Sequence, residues 1–362
     1  MTLDKGLKKI LVTGGAGFIG NALIRRLIEL GNYRILNIDK YGYASDLTSI
    51  ENKLKELKIE NKDLYKFSKI DICDFNNLEN AILDFKPDII FNLAAETHVD
   101  RSIDDPYTFL QNNIFGTFNL LKSALNLWKS ASKRKKDSFR FIHISTDEVF
   151  GSLQTDKKFN EKSKYMPNSP YSASKASSDH LVRAWNKTYG LPTIITNCSN
   201  NFGPWQYPEK LIPNTILKIC ANEEIPIYGN GNNIRDWLFV KDHIEALLII
   251  SKNGRTGESY CIGGENEKSN LEVVKKICEI INKSEKINFN SFELISFVED
   301  RPGHDFRYSI DIKKIKKELK WYPKRNFEDS LEETINWYLI NLEWCKEISA
   351  RSGFKGMRIG LV

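Results

Sequence analysis

Long apolar runs are missing from the 362-residue sequence, and none approaches the length a bilayer span needs. The opening residues, MTLDKGLKKILVTGG, lack the layout of a secretory leader. Cysteine is scarce. Its six positions, Cys73, Cys198, Cys220, Cys261, Cys278 and Cys345, stand far apart and mostly within apolar segments. No C-x-x-C spacing occurs, and the five histidines do not gather near the thiols, so no metal site is expected. Reduced thiols in a cytoplasmic protein are the expectation. A dominant charge of one sign is also lacking, since the net charge of +6 comes from lysines scattered among acids. The one dense basic run, Lys133-Arg134-Lys135-Lys136, sits between a helical pattern and a strand and reads as a solvated loop. Neither a nucleic-acid nor a membrane partner is expected. Internal repeats and low-complexity segments are absent.

What is present is an alternation. Short runs rich in Ile, Leu and Val recur through the first 200 residues: KKILVTGG, YRILNID, PDIIFNLAA, FRFIHIS and LPTIITNCS. Between them lie helical patterns at Phe18–Leu30, Leu78–Phe85, Pro106–Trp128 and Ala173–Tyr189. Strands alternating with helices imply a mostly parallel sheet covered on both faces. After residue 200 the texture changes, with prolines at 204, 208, 213 and 226 and a GNGNN run at 229–233. Helical patterns return near 210–222, 241–252, 269–282 and 328–345, and SYCIGG (259–264) again looks like a buried strand. The expected organisation is a dinucleotide-binding domain over 7–200, receiving 236–264 as well, and a smaller irregular α/β lobe over 201–345. The tail 346–362 has no assignment.

The first strand runs into Gly14-Gly15-Ala16-Gly17-Phe18-Ile19-Gly20 and then a helix. In that context Gly14 permits a tight turn, Gly17 lets a diphosphate approach the backbone, and Gly20 allows close helix–strand packing. The spacing is G-x-x-G-x-x-G, one residue longer than the commonest dinucleotide fingerprint. Asp39 ends the second strand, about 20 residues on, where an acid holds both ribose hydroxyls of NAD and repels the extra phosphate of NADP. Asp71-Ile72 follows a third apolar run and is placed to meet the adenine, while NLAAETH (92–98) follows the fourth strand with small residues. The fold class is α/β, a Rossmann-type doubly wound parallel sheet, with NAD as cofactor.

Two further stretches carry chemistry. FRFIHISTDEVFG (139–151) begins as a buried strand and then sets Ser145, Thr146, Asp147 and Glu148 in a row. Alone, that cluster suits a helix N-cap. Adjacent strand residues point to opposite faces, so the two carboxylates converge only if the strand ends near Thr146 and the chain turns. SPYSASKASSDHL holds Tyr171-x-x-x-Lys175, which a helix places one turn apart on a single face. A nearby ammonium favours the phenolate, making Tyr171 a base.

These motifs resemble the extended short-chain dehydrogenase/reductase family, whose members act on nucleotide sugars, over roughly residues 8–345. The resemblance implies that Tyr171 deprotonates a sugar hydroxyl while NAD takes a hydride, and that Thr146 hydrogen-bonds the same oxygen. S-T-D-E-V-F-G is similar to the segment of the 4,6-dehydratase branch, with dTDP-glucose as the implied substrate. There, Glu148 would take the C5 proton and Asp147 would protonate the leaving C6 hydroxyl; adjacent carboxylates can push one pKa upward. By the same resemblance, Phe18, Ile19, Lys40, Leu93, Ala94, Ala95, Thr97, Asn112, Tyr171, Lys175 and Asn201 join the cofactor contacts.

Implied sugar-nucleotide contacts are Thr97, His98, Thr146, Asn200, Lys210, Leu211, Pro226, Ile227, Tyr228, Arg235, Asn270, Arg301 and His304. Guanidinium groups suit diphosphate through paired hydrogen bonds. Read without the resemblance, Arg235 beside Asp236 is a surface ion pair and His304 a loop histidine. The chain departs from the family pattern at Thr97, Asn112, Phe150 and YGYASDL (41–47), and none of these departures touches the proton-transfer residues. Homodimers built on a four-helix bundle are implied, from the helices around 106–128 and 171–189. Other readings are a dehydratase of another nucleoside-diphosphate hexose, a 4-epimerase, or a silent NAD-sensing regulator. An epimerase has no elimination to catalyse, and such regulators commonly lack the Tyr–Lys pair.

Overall fold

The computed structural model describes residues 6–59, 64–154, 156–284 and 287–352. In chain order the elements are β1 (Lys8–Thr13), α1 (Phe18–Leu30), β2 (Tyr33–Asp39), α2 (Thr48–Glu56), β3 (Tyr65–Lys69), α3 (Phe75–Phe85), β4 (Ile89–Asn92), α4 (Val99–Asp104) and α5 (Pro106–Phe109). A π-helical segment, Leu110–Gly116, leads into α6 (Thr117–Ser130), then α7 (Lys133–Ser138), β5 (Arg140–Thr146), a 3₁₀ turn (Asp147–Phe150), α8 (Pro170–Tyr189), β6 (Thr193–Cys198) and β7 (Asn200–Phe202). There follow α9 (Leu211–Ala221), β8 (Ile225–Tyr228), β9 (Ile234–Phe239), α10 (Val240–Asn253), β10 (Ser259–Ile262), β11 (Glu267–Ser269) and α11 (Asn270–Lys283). After a second 3₁₀ turn come β12 (Ile295–Val298), α12 (Lys313–Leu319), α13 (Phe327–Ile340) and α14 (Leu342–Ser352).

The chain divides into two compact units: one of Met1–Thr146, Pro170–Asn197 and Ile244–Tyr260, the other of Asp147–Ser169, Cys198–His243 and Cys261–Val362. This differs from the boundary at 200 expected from sequence. The chain leaves the sheet twice, at the ends of β5 and β6, so the segments 147–169 and 198–243 group with the C-terminal residues. The stretch returning to the first unit is 244–260, narrower than 236–264. The tail begins later than expected as well, since α14 carries helix to Ser352; residues 353–362 lie outside the described residues.

The first unit is built on a seven-stranded sheet of order β10-β6-β5-β4-β1-β2-β3. Parallel pairing joins β1 to β2, β1 to β4, β2 to β3 and β4 to β5. The order moves outward from β1 to β3 and resumes on the other side with β4, which puts the switch point at the carboxyl ends of β1 and β4. The strands are apolar on both faces because both are covered. Leu11, Leu36, Ile90 and Phe141 pack with Leu78 and Ile82 of α3, Leu120, Leu121 and Ala124 of α6, and Val182 of α8.

Where a single helix is expected over Pro106–Trp128, seven residues are wound as π-helix. Gly116 ends that segment against Ile72, whose Cδ1 lies 2.5 Å from where a Cβ on Gly116 would stand. Such bulges recur at functional sites, and this one carries Asn112 and Asn113.

The second unit has its own core. Ile212, Ile216 and Ile219 of α9, Val273, Val274 and Ile277 of α11, and Leu331 and Ile335 of α13 are buried together with Phe202 and Phe239. Strands β11, β9 and β7 form one small sheet, and β12 pairs with β8 in parallel.

Candidate active site

In the first unit, the turn after β1 is built from glycines for steric reasons. Gly14 has φ +69°, and a Cβ there would meet the Ala94 amide nitrogen at 2.6 Å. A Cβ on Gly20 would lie 2.3 Å from the Gly14 carbonyl oxygen, so α1 crosses the turn at closest approach. Gly17 is the N-cap of α1 and offers no side chain to the first-turn N–H groups. Those donors and the positive end of the helix dipole face whatever anion sits over the turn. Phe18 and Ile19 open the helix.

Asp39 ends β2 with 7% exposure, and its carboxylate accepts hydrogen bonds from the Ala16 N–H (3.0 Å), the Tyr41 N–H (2.7 Å) and the Ser45 hydroxyl (2.9 Å). Burial pushes its pKa up, and these donors oppose the rise. Lys40 is held by Glu96 (2.5 Å) and by the Asn112 side-chain oxygen (3.2 Å). Asp71 accepts from the Cys73 N–H at 2.8 Å, and Ile72 is buried beside it. Leu93 and Ala94 hydrogen-bond to Thr13 and continue β4 toward half-buried Ala95 and exposed Thr97. His98 caps α4, its Nδ1 accepting from the Arg101 N–H at 3.4 Å. A glycine cradle, an uncapped helix start and an acid at the next strand end form a donor set that fits a dinucleotide.

The same unit carries three of the expected catalytic residues. Thr146 is the last residue of β5 and is 8% exposed; Tyr171 (7%) and Lys175 (4%) lie on α8. Pro170 starts that helix with a φ already suited to it, which puts Tyr171 in the first turn. The Lys175 ammonium donates to the Ile144 carbonyl at 2.8 Å, and the Tyr171 ring meets Phe109 edge-on.

The second unit begins with the acids. β5 stops at Thr146, and Asp147 and Glu148 enter the 3₁₀ turn, so neither has to point into a strand interface. Asp147 is 1% exposed and Glu148 half-buried. Burial raises the Glu148 pKa, against the pull of Arg301, Arg235 and Lys210; Asp305 adds to the rise. Arg235 is buried, donates to the carbonyls of Ile234 (2.8 Å) and Asp305 (3.0 Å), and stacks on Tyr308 at 4.4 Å. The ion pair with Asp236 does not form, because Asp236 lies next along β9 and accepts from the Gly264 and Asn266 N–H groups.

His304 is paired with Asp300 at 2.6 Å and faces the Tyr228 ring edge-on. Burial, with Arg301 and Arg235 nearby, lowers its pKa to about 4. Pro226, Ile227 and Tyr228 lie on β8, Lys210 and Leu211 at the start of α9, and Asn270 at the start of α11. Asn200 keeps a buried side-chain oxygen with no hydrogen-bond partner among the described residues.

Asn201 follows Asn200 on β7. Its amide nitrogen donates to the Ser199 carbonyl at 2.9 Å, and its oxygen meets His243 Nδ1 at 2.8 Å, so its side chain is engaged within the protein. Phe150 stacks on Phe159, and Tyr165 meets it edge-on, so an apolar aromatic cluster surrounds the position. Sequence reasoning passed over Asp305 and Tyr308 around Arg235, and over Asp179, although Asp179 stands one helical turn beyond Lys175. No disulfide joins the six cysteines, and no group of metal-binding side chains occurs among the described residues. No helix among them is long and apolar enough to cross a membrane.

The model of the GDP-mannose 4,6 dehydratase family matches residues 11–334. The chain belongs to this family. It is 50% identical to a dTDP-glucose 4,6-dehydratase of Escherichia coli over 367 residues, covering 98% of this chain and 99% of the relative. Among solved structures, the dTDP-glucose 4,6-dehydratase of Bacillus anthracis in complex with NAD aligns with a TM-score of 0.81 at 40% identity, over 94% of this chain and 99% of that one. A dTDP-glucose 4,6-dehydratase of Streptomyces venezuelae, with NAD bound, aligns with a TM-score of 0.83 at 36% identity over the same shares.

Proposed function

We infer that this protein is an NAD-dependent hydro-lyase that converts dTDP-glucose to dTDP-4-keto-6-deoxyglucose and water. The observation that carries this reading is the near-full-length similarity to dTDP-glucose 4,6-dehydratases. The Asp147–Glu148 pair, set in a turn directly after Thr146, supports it chemically. NAD would be held by the Gly14–Gly20 turn and Asp39, with Lys40, Asp71 and Ile72 toward the adenine end. Bound there, NAD supplies the hydride acceptor for C4 and the hydride donor for C6.

The chain's own groups move the protons. Tyr171, with its proton lost beside the Lys175 ammonium, takes the proton of the C4 hydroxyl, and the Thr146 hydroxyl bonds the same oxygen. The C4 ketone acidifies the neighbouring C–H. Glu148 takes the C5 proton; Asp147, protonated, donates to the C6 hydroxyl, which departs as water. Glu148 then returns a proton to C5. Arg235 and Arg301 bind the diphosphate.

The deciding experiment incubates purified protein with dTDP-glucose in heavy water and weighs the sugar nucleotide. A product lighter by one water and carrying one solvent deuteron at C5 is expected. Unchanged dTDP-glucose, or a hexose of the same composition with inverted C4, overturns the reading.

We further propose a homodimer through a four-helix bundle of the 106–130 and 170–189 helices. Tyr107 (69% exposed), Leu110 (41%), Phe115 (62%) and Phe118 (37%) are exposed large apolar side chains on the first of these stretches, of the kind that interfaces cover. Light scattering should give the mass of two chains, and Phe115→Asp should shift it to one. A monomeric parent protein refutes the bundle.

A further inference from the structure

We propose that Asp179 is a positioning residue for the Tyr171–Lys175 pair: its buried carboxylate clamps α8 onto the last residues of β5 and supplies the counter-charge of the Lys175 ammonium. This rests on reading Tyr171 and Lys175 as the proton-transfer pair.

The clamp is one helical turn long. Lys175 donates to the Ile144 carbonyl at 2.8 Å, while Asp179, one turn on, reaches the side chains on either side of Ile144. One Asp179 oxygen accepts from the Ser145 hydroxyl at 2.8 Å and from the Asn197 amide at 3.3 Å. The other lies 3.3 Å from His143 Nε2. Thus Ile144 and Ser145, the two residues before Thr146, are hydrogen-bonded to residues 175–179 of α8, with His143 close to the same carboxylate. Asn197 also donates to the Thr146 carbonyl at 3.2 Å, which joins the strand end to the same carboxylate.

The charges explain why an acid stands there. Lys175 is 4% exposed and Asp179 1%, and an ammonium at that depth is costly without an anion nearby. His143 is not the compensating group. Its Nδ1 lies 3.0 Å from the Asn92 amide nitrogen, a donor, so Nδ1 is an acceptor and the single ring proton sits on Nε2, toward Asp179. Burial and the Lys175 charge both lower the His143 pKa, against Asp179, so the ring is neutral and within reach of both charges. Tyr171, Lys175 and Asp179 recur every fourth residue on one face of α8, which lets Asp179 act on Tyr171 through Lys175.

The test uses the full-length protein with wild-type turnover of dTDP-glucose as its control. Asp179→Asn keeps the shape and can still accept from Ser145, but carries no charge. Its kcat should fall at least about tenfold while KM for dTDP-glucose and the NAD dissociation constant stay within about twofold. Ser145→Ala, which removes one hydrogen bond and leaves the charge, should keep kcat within a few-fold. Thermal unfolding of a double-mutant cycle with Lys175→Met gives a second readout, independent of activity and usable even if Asp179→Asn folds poorly. The double variant should be more stable than Asp179→Asn alone, because no ammonium is stranded. Wild-type kcat in Asp179→Asn overturns the proposal. So does a parallel loss of kcat, sugar affinity and NAD affinity, or additive destabilisation in the cycle. Failure of the wild-type protein to turn over dTDP-glucose sinks the functional reading instead, and the unfolding cycle still decides the charge pairing.

Discussion

Glu148→Gln is expected to stop the reaction half-way: dTDP-glucose is oxidised at C4 and water is never lost. Gln has nearly the shape of Glu, so the half-buried position two residues after Thr146 keeps its packing. It has no carboxylate, and an amide cannot accept the C5 proton. Removing a general base costs on the order of 10²–10⁴-fold in rate. The initial oxidation depends on other groups and proceeds. Rapid quenching followed by mass spectrometry should therefore find a nucleotide lighter than substrate by two hydrogens, with its C6 hydroxyl intact. Dehydration at the wild-type rate in this variant would show that the base has been misassigned.

The environment of Glu148 adds a pH signature. Burial holds its pKa above the ordinary glutamate value despite Arg301, Arg235 and Lys210. A base works only when deprotonated, so elimination should weaken as pH falls, beginning above the usual carboxylate range. The residual rate of the Gln variant should lack that limb.

What the sequence made legible was set by covalent spacing. Gly14, Gly17 and Gly20 occupy fixed steps between a strand and a helix, and only glycine tolerates contacts of 2.3–2.6 Å at Gly14 and Gly20. Tyr171 and Lys175 share a helix face by periodicity alone. Two adjacent carboxylates at the end of an apolar run already imply that the strand stops, since one of them would otherwise enter a covered sheet face. The helical patterns at 18–30 and 270–283 appear within a residue or so of their expected limits.

Less was readable where tertiary packing decides. The segment 147–169 groups with residues far along the chain, tied there by backbone bonds such as Leu153 N–H to the Arg307 carbonyl, and no local pattern announces that partner. The π-helical turn over Leu110–Gly116 keeps helical periodicity in sequence, and the Ile72 side chain that packs on Gly116 comes from a distant part of the chain. Asn201 is a similar case. Its side chain meets Ser199 and His243, the latter a residue from a distant helix start. Buried polar partners of that kind follow from folding rather than spacing.

Tyr171→Phe should abolish the reaction at its first step rather than its second. The change deletes one oxygen from a residue that is 7% exposed and keeps the ring that meets Phe109 edge-on, so α8 and its Lys175 bond to Ile144 should persist. With the phenolic oxygen gone, nothing at that position takes the C4 hydroxyl proton, and the expected loss is about 10²–10⁴-fold in kcat. NAD affinity should stay close to wild type, because the glycine turn and Asp39 lie elsewhere in the first unit. The contrast with Glu148→Gln is what gives this variant its value: the Gln protein makes the ketone and stalls, whereas the Phe protein returns dTDP-glucose unaltered. The double variant should then behave like Tyr171→Phe, since a step that never begins cannot be stalled later. Ketone formed at an undiminished rate by Tyr171→Phe would remove Tyr171 as the base and leave Thr146 as the hydroxyl to examine next.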